Sequence, residues 1–130
     1  MMRDLGAVKV SDVMTPAPRS IEPHQSVGVA RAWMDEMKVR HLPVREGGKI
    51  VGILSDRDLG LLMDNRSSKA RLTVEDAMIS SVYSVNSDRL VSDVAREMLE
   101  HRVGSVLVTG GDGGLIGIFT DSDALRILMG

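Results

Sequence analysis

The chain has 130 residues, 43% hydrophobic and 26% charged, which is enough for a real core in an ordinary globular mixture. A net charge of -2 argues against a nucleic-acid surface, and the absence of cysteine excludes disulfides and thiolate chemistry. With one Trp, one Tyr and one Phe, the core has to be aliphatic, and nine methionines are there to fill its gaps.

Residues 1–9 are a short lead-in. Met1-Met2-Arg3-Asp4-Leu5-Gly6 lacks the apolar stretch of an export signal, and no run approaches the ~18 apolar residues of a membrane span. A cytoplasmic protein with no membrane contact is expected. Val10 to Met14 reads as a helical turn capped by Ser11, and Thr15-Pro16-Ala17-Pro18 as extended chain. Ser20-Ile21 is a minimal strand. A turn from Pro23 to Ser26 leads into a helix from about Val27 to Lys38, with Val27, Ala30, Met34 and Met37 on its apolar face. His41 to Val44 is a strand placed near a sheet edge by Pro43. Glu46-Gly47-Gly48-Lys49 is a hairpin turn into strand 50–54, and helix 56–63 follows.

The pattern then restarts. Asp12, Met14, Ser20, Val27, Met34, Val39 and Val44 return as Asp76, Met78, Ser84, Val91, Met98, Val103 and Val108, all 64 positions later. After the Gly110–Gly114 turn the offset is 65, so Gly52 and Asp58 return as Gly117 and Asp123. The repeats span 8–64 and 73–130, joined by a polar linker at 65–72. Two copies that each bury one face would pack as a pseudo-twofold pair with one shared core. The last helices present Leu59, Leu62, Met63 and Ala124, Ile127, Leu128 at helical spacing.

The stretch repeated most fully is Gly52-Ile53-Leu54-Ser55-Asp56-Arg57-Asp58, which returns as Gly117-Ile118-Phe119-Thr120-Asp121-Ser122-Asp123. Each copy runs from a strand into a helix start. A hydroxyl three residues before an acid is a capping box, and that alone explains one isolated copy. The same turn also offers free N–H groups and a positive dipole end to an anion. The hydroxyl can bond a phosphate, while an ionised Asp, with acceptors only, suits the two hydroxyls of a ribose. The glycines allow a ligand or another backbone to come close.

With these motifs, Val10 to Pro16, Arg40 to Val44, Gly52 to Asp58 and their second copies, the chain resembles a tandem pair of cystathionine-β-synthase (CBS) domains, the Bateman module. The similarity runs over about residues 8–129. It implies an α+β fold of two pseudo-twofold-related β-α-β-β-α repeats packed through their sheets, with two clefts between them. It further implies a homodimer and a regulatory module, not an enzyme. Such modules bind AMP, ADP or ATP, sometimes S-adenosylmethionine or NAD, need no cofactor, and usually regulate an attached or partner protein, which the sequence does not name. Carried over by residue, one cleft would use Asp58 on ribose, Ser55 near phosphate, Ile53 on the base, and Arg40 and His41 facing phosphates, walled by Ser80, Val82 and Val103. The other would use Asp123, Thr120, Ser122 and Ile118, walled by Thr15, Ala17, Val39 and Arg40. Gly104-Ser105 stands where the first copy has Arg40-His41. The Asp58 cleft is therefore expected to favour the phosphorylated ligand, and the Asp123 cleft to be weaker or to take a less charged adenosine compound.

Other constellations carry less. His24, His41 and His101 are scattered without zinc-ligand spacing. Gly110 to Gly114 has no Gly-Lys-Ser/Thr after it and reads as a turn. His101 reads as a favourable charge at a helix end, and Trp33 as core or dimer packing. Two further functions compete with the sensor: a dimeric scaffold with empty clefts, and a small nucleotide hydrolase. The hydrolase ranks last, because no nucleophile is paired with a base.

Overall fold

The computed structural model describes residues 5–16, 19–64 and 72–129. In chain order its elements are a 3₁₀ turn (Leu5–Ala7), α1 (Val10–Val13), β1 (Thr15–Pro16), α2 (Val27–Met37), β2 (His41–Glu46), β3 (Lys49–Ser55), α3 (Asp56–Asp64), α4 (Val74–Ala77), β4 (Ser84–Asn86), α5 (Val91–His101), β5 (Ser105–Thr109), β6 (Leu115–Thr120) and α6 (Asp121–Leu128). The fold is α+β. It divides into two compact units, Met1–Pro18 with Tyr83–Gly130, and Arg19–Val82. The unit of folding thus starts later along the chain than the unit of repetition: α1 and β1 lie with the second copy's hairpin, and α4 lies with the first's.

In the Arg19–Val82 unit, β2 and β3 pair antiparallel from His41↔Ser55 to Glu46↔Lys49. The turn between them needs left-handed backbone at two successive residues, and Gly47 (φ 59°) and Gly48 (φ 82°) supply it. Ser26 caps α2 by accepting the Val29 N–H at 3.2 Å, and Lys38 ends it in the left-handed region. Val27, Ala30 and Met34 from α2 close over Leu42, Val44 and Leu54, joined by Ile21, Leu59 and Val74. Ile21 forms a single parallel bridge to Val44 instead of the expected strand, and Ile79 bridges antiparallel to Ile53. Because Ile21 lies on its other side, β2 is not at an edge. Pro43 is tolerated there for a reason of register. Its partner Ile53 spends both backbone groups on Ile79, so this pair asks no N–H of Pro43, while the Pro43 carbonyl accepts from Ile21 at 2.9 Å.

The other unit has a four-stranded sheet in the order β1-β6-β5-β4, with β4 parallel to β5 and the remaining pairs antiparallel. Thr15↔Ile118 and Val85↔Val108 repeat the Ile79↔Ile53 and Ile21↔Val44 pairings. Its core gathers Val10, Val85, Val91, Val94, Met98, Val106, Val108, Phe119 and Ile127. Among the described residues the buried side chains gather in two clusters, one in each unit, instead of the single shared core expected. Each long helix lays its apolar stripe on its own hairpin.

Two smaller expectations also change. Ser11 lies inside α1, and the cap is Lys9, whose N–H donates to Asp12 Oδ2 at 3.0 Å. Leu128 is 55% exposed, because the buried side of α6 turns on Asp123 and Ile127. Ala17 and most of the 65–72 linker lie outside the described residues. No helix among the described residues is long and apolar enough to cross a membrane.

Candidate functional site

Each unit carries one strand-to-helix turn with a hydroxyl and an acid. In the Arg19–Val82 unit, β3 ends at Ser55 and α3 begins at once. Ser55 Oγ accepts the Asp58 N–H at 3.0 Å and donates its hydroxyl to Asp58 Oδ2 at 2.9 Å. Among the described residues, Asp58 Oδ1 has no hydrogen-bond partner. The same unit holds Ile53 (buried), Val39, His41 and Val82 (half-buried), and Arg40 and Ser80 (exposed). His41 stands opposite Ser55 in the ladder, and the Arg40 carbonyl takes the Asp56 N–H at 2.9 Å, which ties the Arg40-His41 corner to the start of α3. Seven of the expected residues of the Asp58 group thus fall in one unit, while Val103 falls in the other.

In the second unit, Thr120 and Asp123 form a complete capping box. The Thr120 N–H donates to Asp123 Oδ2 at 3.0 Å, and the Asp123 N–H donates to Thr120 Oγ1 at 3.1 Å. Arg126 Nη1 donates to Asp123 Oδ1 at 2.9 Å. Asp123 is only 4% exposed, so a charged group there needs these partners. Ile118 is buried between Thr15 and Leu107, and Ser122 is exposed. Thr15 is in this unit, whereas Val39 and Arg40 are not.

The glycines ahead of both turns serve a backbone. Met78-Ile79 runs against Gly52, and Met14-Thr15 against Gly117, close enough to leave no room for a Cβ. Of the two uses open to these glycines in the sequence, the structure shows the approach of a neighbouring strand.

One feature of the second unit escaped the sequence reading. A hollow open to solvent is lined by Val85, Val94, Met98 and Val106, together with Glu97, His101 and Val103. The Tyr83 ring lies 4.9 Å from the His101 ring, and its Oη is 3.4 Å from His101 Nδ1. Arg89 forms an ion pair with Glu97, and its hydrogen bond holds the Glu97 carboxyl below the usual range. The signal lay in the repeat. Glu97 and His101 share a helix face with Val94 and Met98, and they stand where the first copy has Trp33 and Met37. In that copy Trp33 packs against the core with the Arg19 guanidinium over its ring, 3.8 Å from the centroid.

Comparison with known proteins points one way. A family model described as CBS domain matches residues 10–60 and 74–130. Uncharacterized protein MJ1232 of Methanocaldococcus jannaschii is 26% identical over 123 residues, covering 95% of this chain and 40% of that protein, so the chain spans less than half of this curated relative. The structure of CBSX2 in complex with AMP is 31% identical with a TM-score of 0.70, covering 93% of this chain and 96% of that one. The CBS domain pair of protein MJ0100, solved with 5′-methylthioadenosine and S-adenosyl-L-methionine, is 25% identical with a TM-score of 0.75, covering 93% and 95%.

Proposed function

The chain belongs to the CBS domain family, as a pair of its repeats, and we propose that it is a regulatory module that binds an adenosine-containing ligand of the AMP, ADP or ATP class. The observation that carries this reading is the open Oδ1 of Asp58. A ribose diol brings two O–H donors and needs free acceptor lone pairs, which this carboxylate retains while Ser55 steadies its other oxygen. Ser55, Ile53, Arg40, His41, Ser80 and Val82 would surround the ligand. The similar CBSX2 and MJ0100 structures hold AMP and adenosine derivatives, which supports the ligand class. No cofactor is required and the module regulates rather than catalyses.

The module would act as a homodimer. Leu99 on α5 and Leu125, Leu128 and Met129 at the end of α6 are 81%, 62%, 55% and 87% exposed, an apolar set that a second copy would cover.

Thermal shift tests the ligand. AMP at 100 times its dissociation constant adds about 2.7 kcal/mol of stability, which is a shift of several degrees. The shift should shrink in Asp58→Ala. A second reading, a scaffold that binds no nucleotide, is favoured by the local bonds of both acids, Asp58 with the Ser55 hydroxyl and Asp123 with the Thr120 N–H and Arg126. No shift with AMP, ATP, NAD or S-adenosylmethionine would select it.

A further inference from the structure

The two acids are equivalent in sequence but not in bonding. Asp58 is followed three residues on by Leu61, which has no donor. Asp123 is followed by Arg126, whose guanidinium occupies Oδ1 at 2.9 Å while the Thr120 N–H holds Oδ2. Asp123 therefore has each oxygen already facing a donor, and one of the donors is a cation. An incoming ribose would have to compete with it. The pair is lopsided in exposure: the Asp123 side chain is 3% exposed and that of Arg126 is 71% exposed. The carboxylate is fixed, and the arginine can swing into water.

We propose that Arg126 is a latch on Asp123 that makes this second acid selective for phosphorylated nucleosides. The inference rests on the adenosine-binding reading above. A neutral nucleoside must displace a charge-assisted bond and offers the guanidinium nothing in return. A nucleotide offers both exchanges at once, ribose hydroxyls to the carboxylate and phosphate to the freed guanidinium. This reverses the expectation that the Asp123 group takes the less charged ligand. That expectation counted only the missing Arg40-His41 pair. It overlooked a basic residue one helical turn beyond the acid.

The test isolates this acid in an Asp58→Ala background and titrates adenosine and AMP by calorimetry, with and without Arg126→Gln. Glutamine keeps the helix and the reach but removes the charge. The expected result is adenosine binding tightened about three- to tenfold by Arg126→Gln, the size of a charge-assisted bond with one end in solvent. AMP should gain less, so its preference over adenosine narrows, and adding Asp123→Asn should cancel the adenosine gain. Unchanged or weakened adenosine binding in Arg126→Gln overturns the latch. If the wild type still binds AMP, the ligand reading survives that loss. If neither the wild type nor any variant binds either compound, the ligand reading falls and takes the latch with it.

Discussion

Gly117 passes Thr15 so closely that a Cβ built on it would lie 2.6 Å from the Thr15 carbonyl oxygen and 2.5 Å from Met14 Sδ. The same crowding recurs at Gly52, where a Cβ would lie 2.9 Å from the Ile79 carbonyl oxygen and 2.8 Å from Met78 Sδ. The methionine end can yield, but the backbone oxygen is held by pairing, of Thr15 in β1 and of Ile79 in its bridge to Ile53, and cannot. Gly117→Ala and Gly52→Ala are each expected to destabilise by about 1–3 kcal/mol, the usual cost of overpacking. Gly28→Ala makes the contrast. Its Cβ would meet only Ser26 Oγ at 3.8 Å, inside α2, so it should stabilise by about 0.5–1 kcal/mol. Thermal unfolding of the three variants checks the signs. Neutral behaviour of Gly117→Ala would mean that β1 does not hold its place against β6.

Much of this architecture was legible in the chain because it is written twice. The hairpin glycines, the long-helix stripes and both hydroxyl–acid turns follow from local chemistry. The Thr120 turn is the capping box its spacing suggested, and the Ser55 turn makes half of one, its hydroxyl taking the Asp58 N–H. What stayed hidden is non-local. β1 is two residues long and Ile79 makes a single bridge, too short for any periodicity to name their partners. The surroundings of Pro43 depended on which neighbour used the backbone of Ile53. Lys9, the cap of α1, also bridges Leu90, a contact 81 residues away along the chain. Arg126 was visible as a residue, but its hold on Asp123 required the helix to be built.

The bonding difference between the acids predicts a stability difference. Asp123→Ala removes the acceptor of the Thr120 N–H, which is 93% buried by residue, and leaves Arg126 without its partner. The expected cost is about 1–3 kcal/mol, as for any buried group left unsatisfied. Asp58→Ala loses one bond from the half-buried Ser55 hydroxyl and should cost about 0.5–1.5 kcal/mol. Urea unfolding at neutral pH ranks the two. Equal or reversed losses would show that Asp123 is not the structural member of the pair.

The exposed leucines predict an assembly. Leu125 and Leu128 lie one turn apart on α6 and point to solvent, so Leu125→Glu with Leu128→Glu puts two charges into the proposed homodimer face. Light scattering should show half the wild-type mass with an unchanged circular dichroism spectrum. A wild type that is already monomeric at micromolar concentration would remove the dimer from the proposal.

The Arg89–Glu97 pair sets a pH dependence whose sign can be worked out. The hydrogen bond from Arg89 is the main cause that holds the folded Glu97 carboxyl below its usual value of 4.5, with desolvation acting the other way. Below that value the unfolded chain takes up a proton that the folded chain still refuses. The pair's contribution is therefore fully present above about pH 4.5 and is lost as pH falls through the depressed folded value. Arg89→Gln removes the bond and keeps the Arg89 carbonyl that accepts the Val10 N–H, so the variant should still fold. Melting temperatures of wild type and variant should differ by a constant amount from neutrality down to about pH 5, and converge below it. A gap that stays constant, or widens, on further acidification would show that Glu97 titrates alike in the folded and unfolded chain.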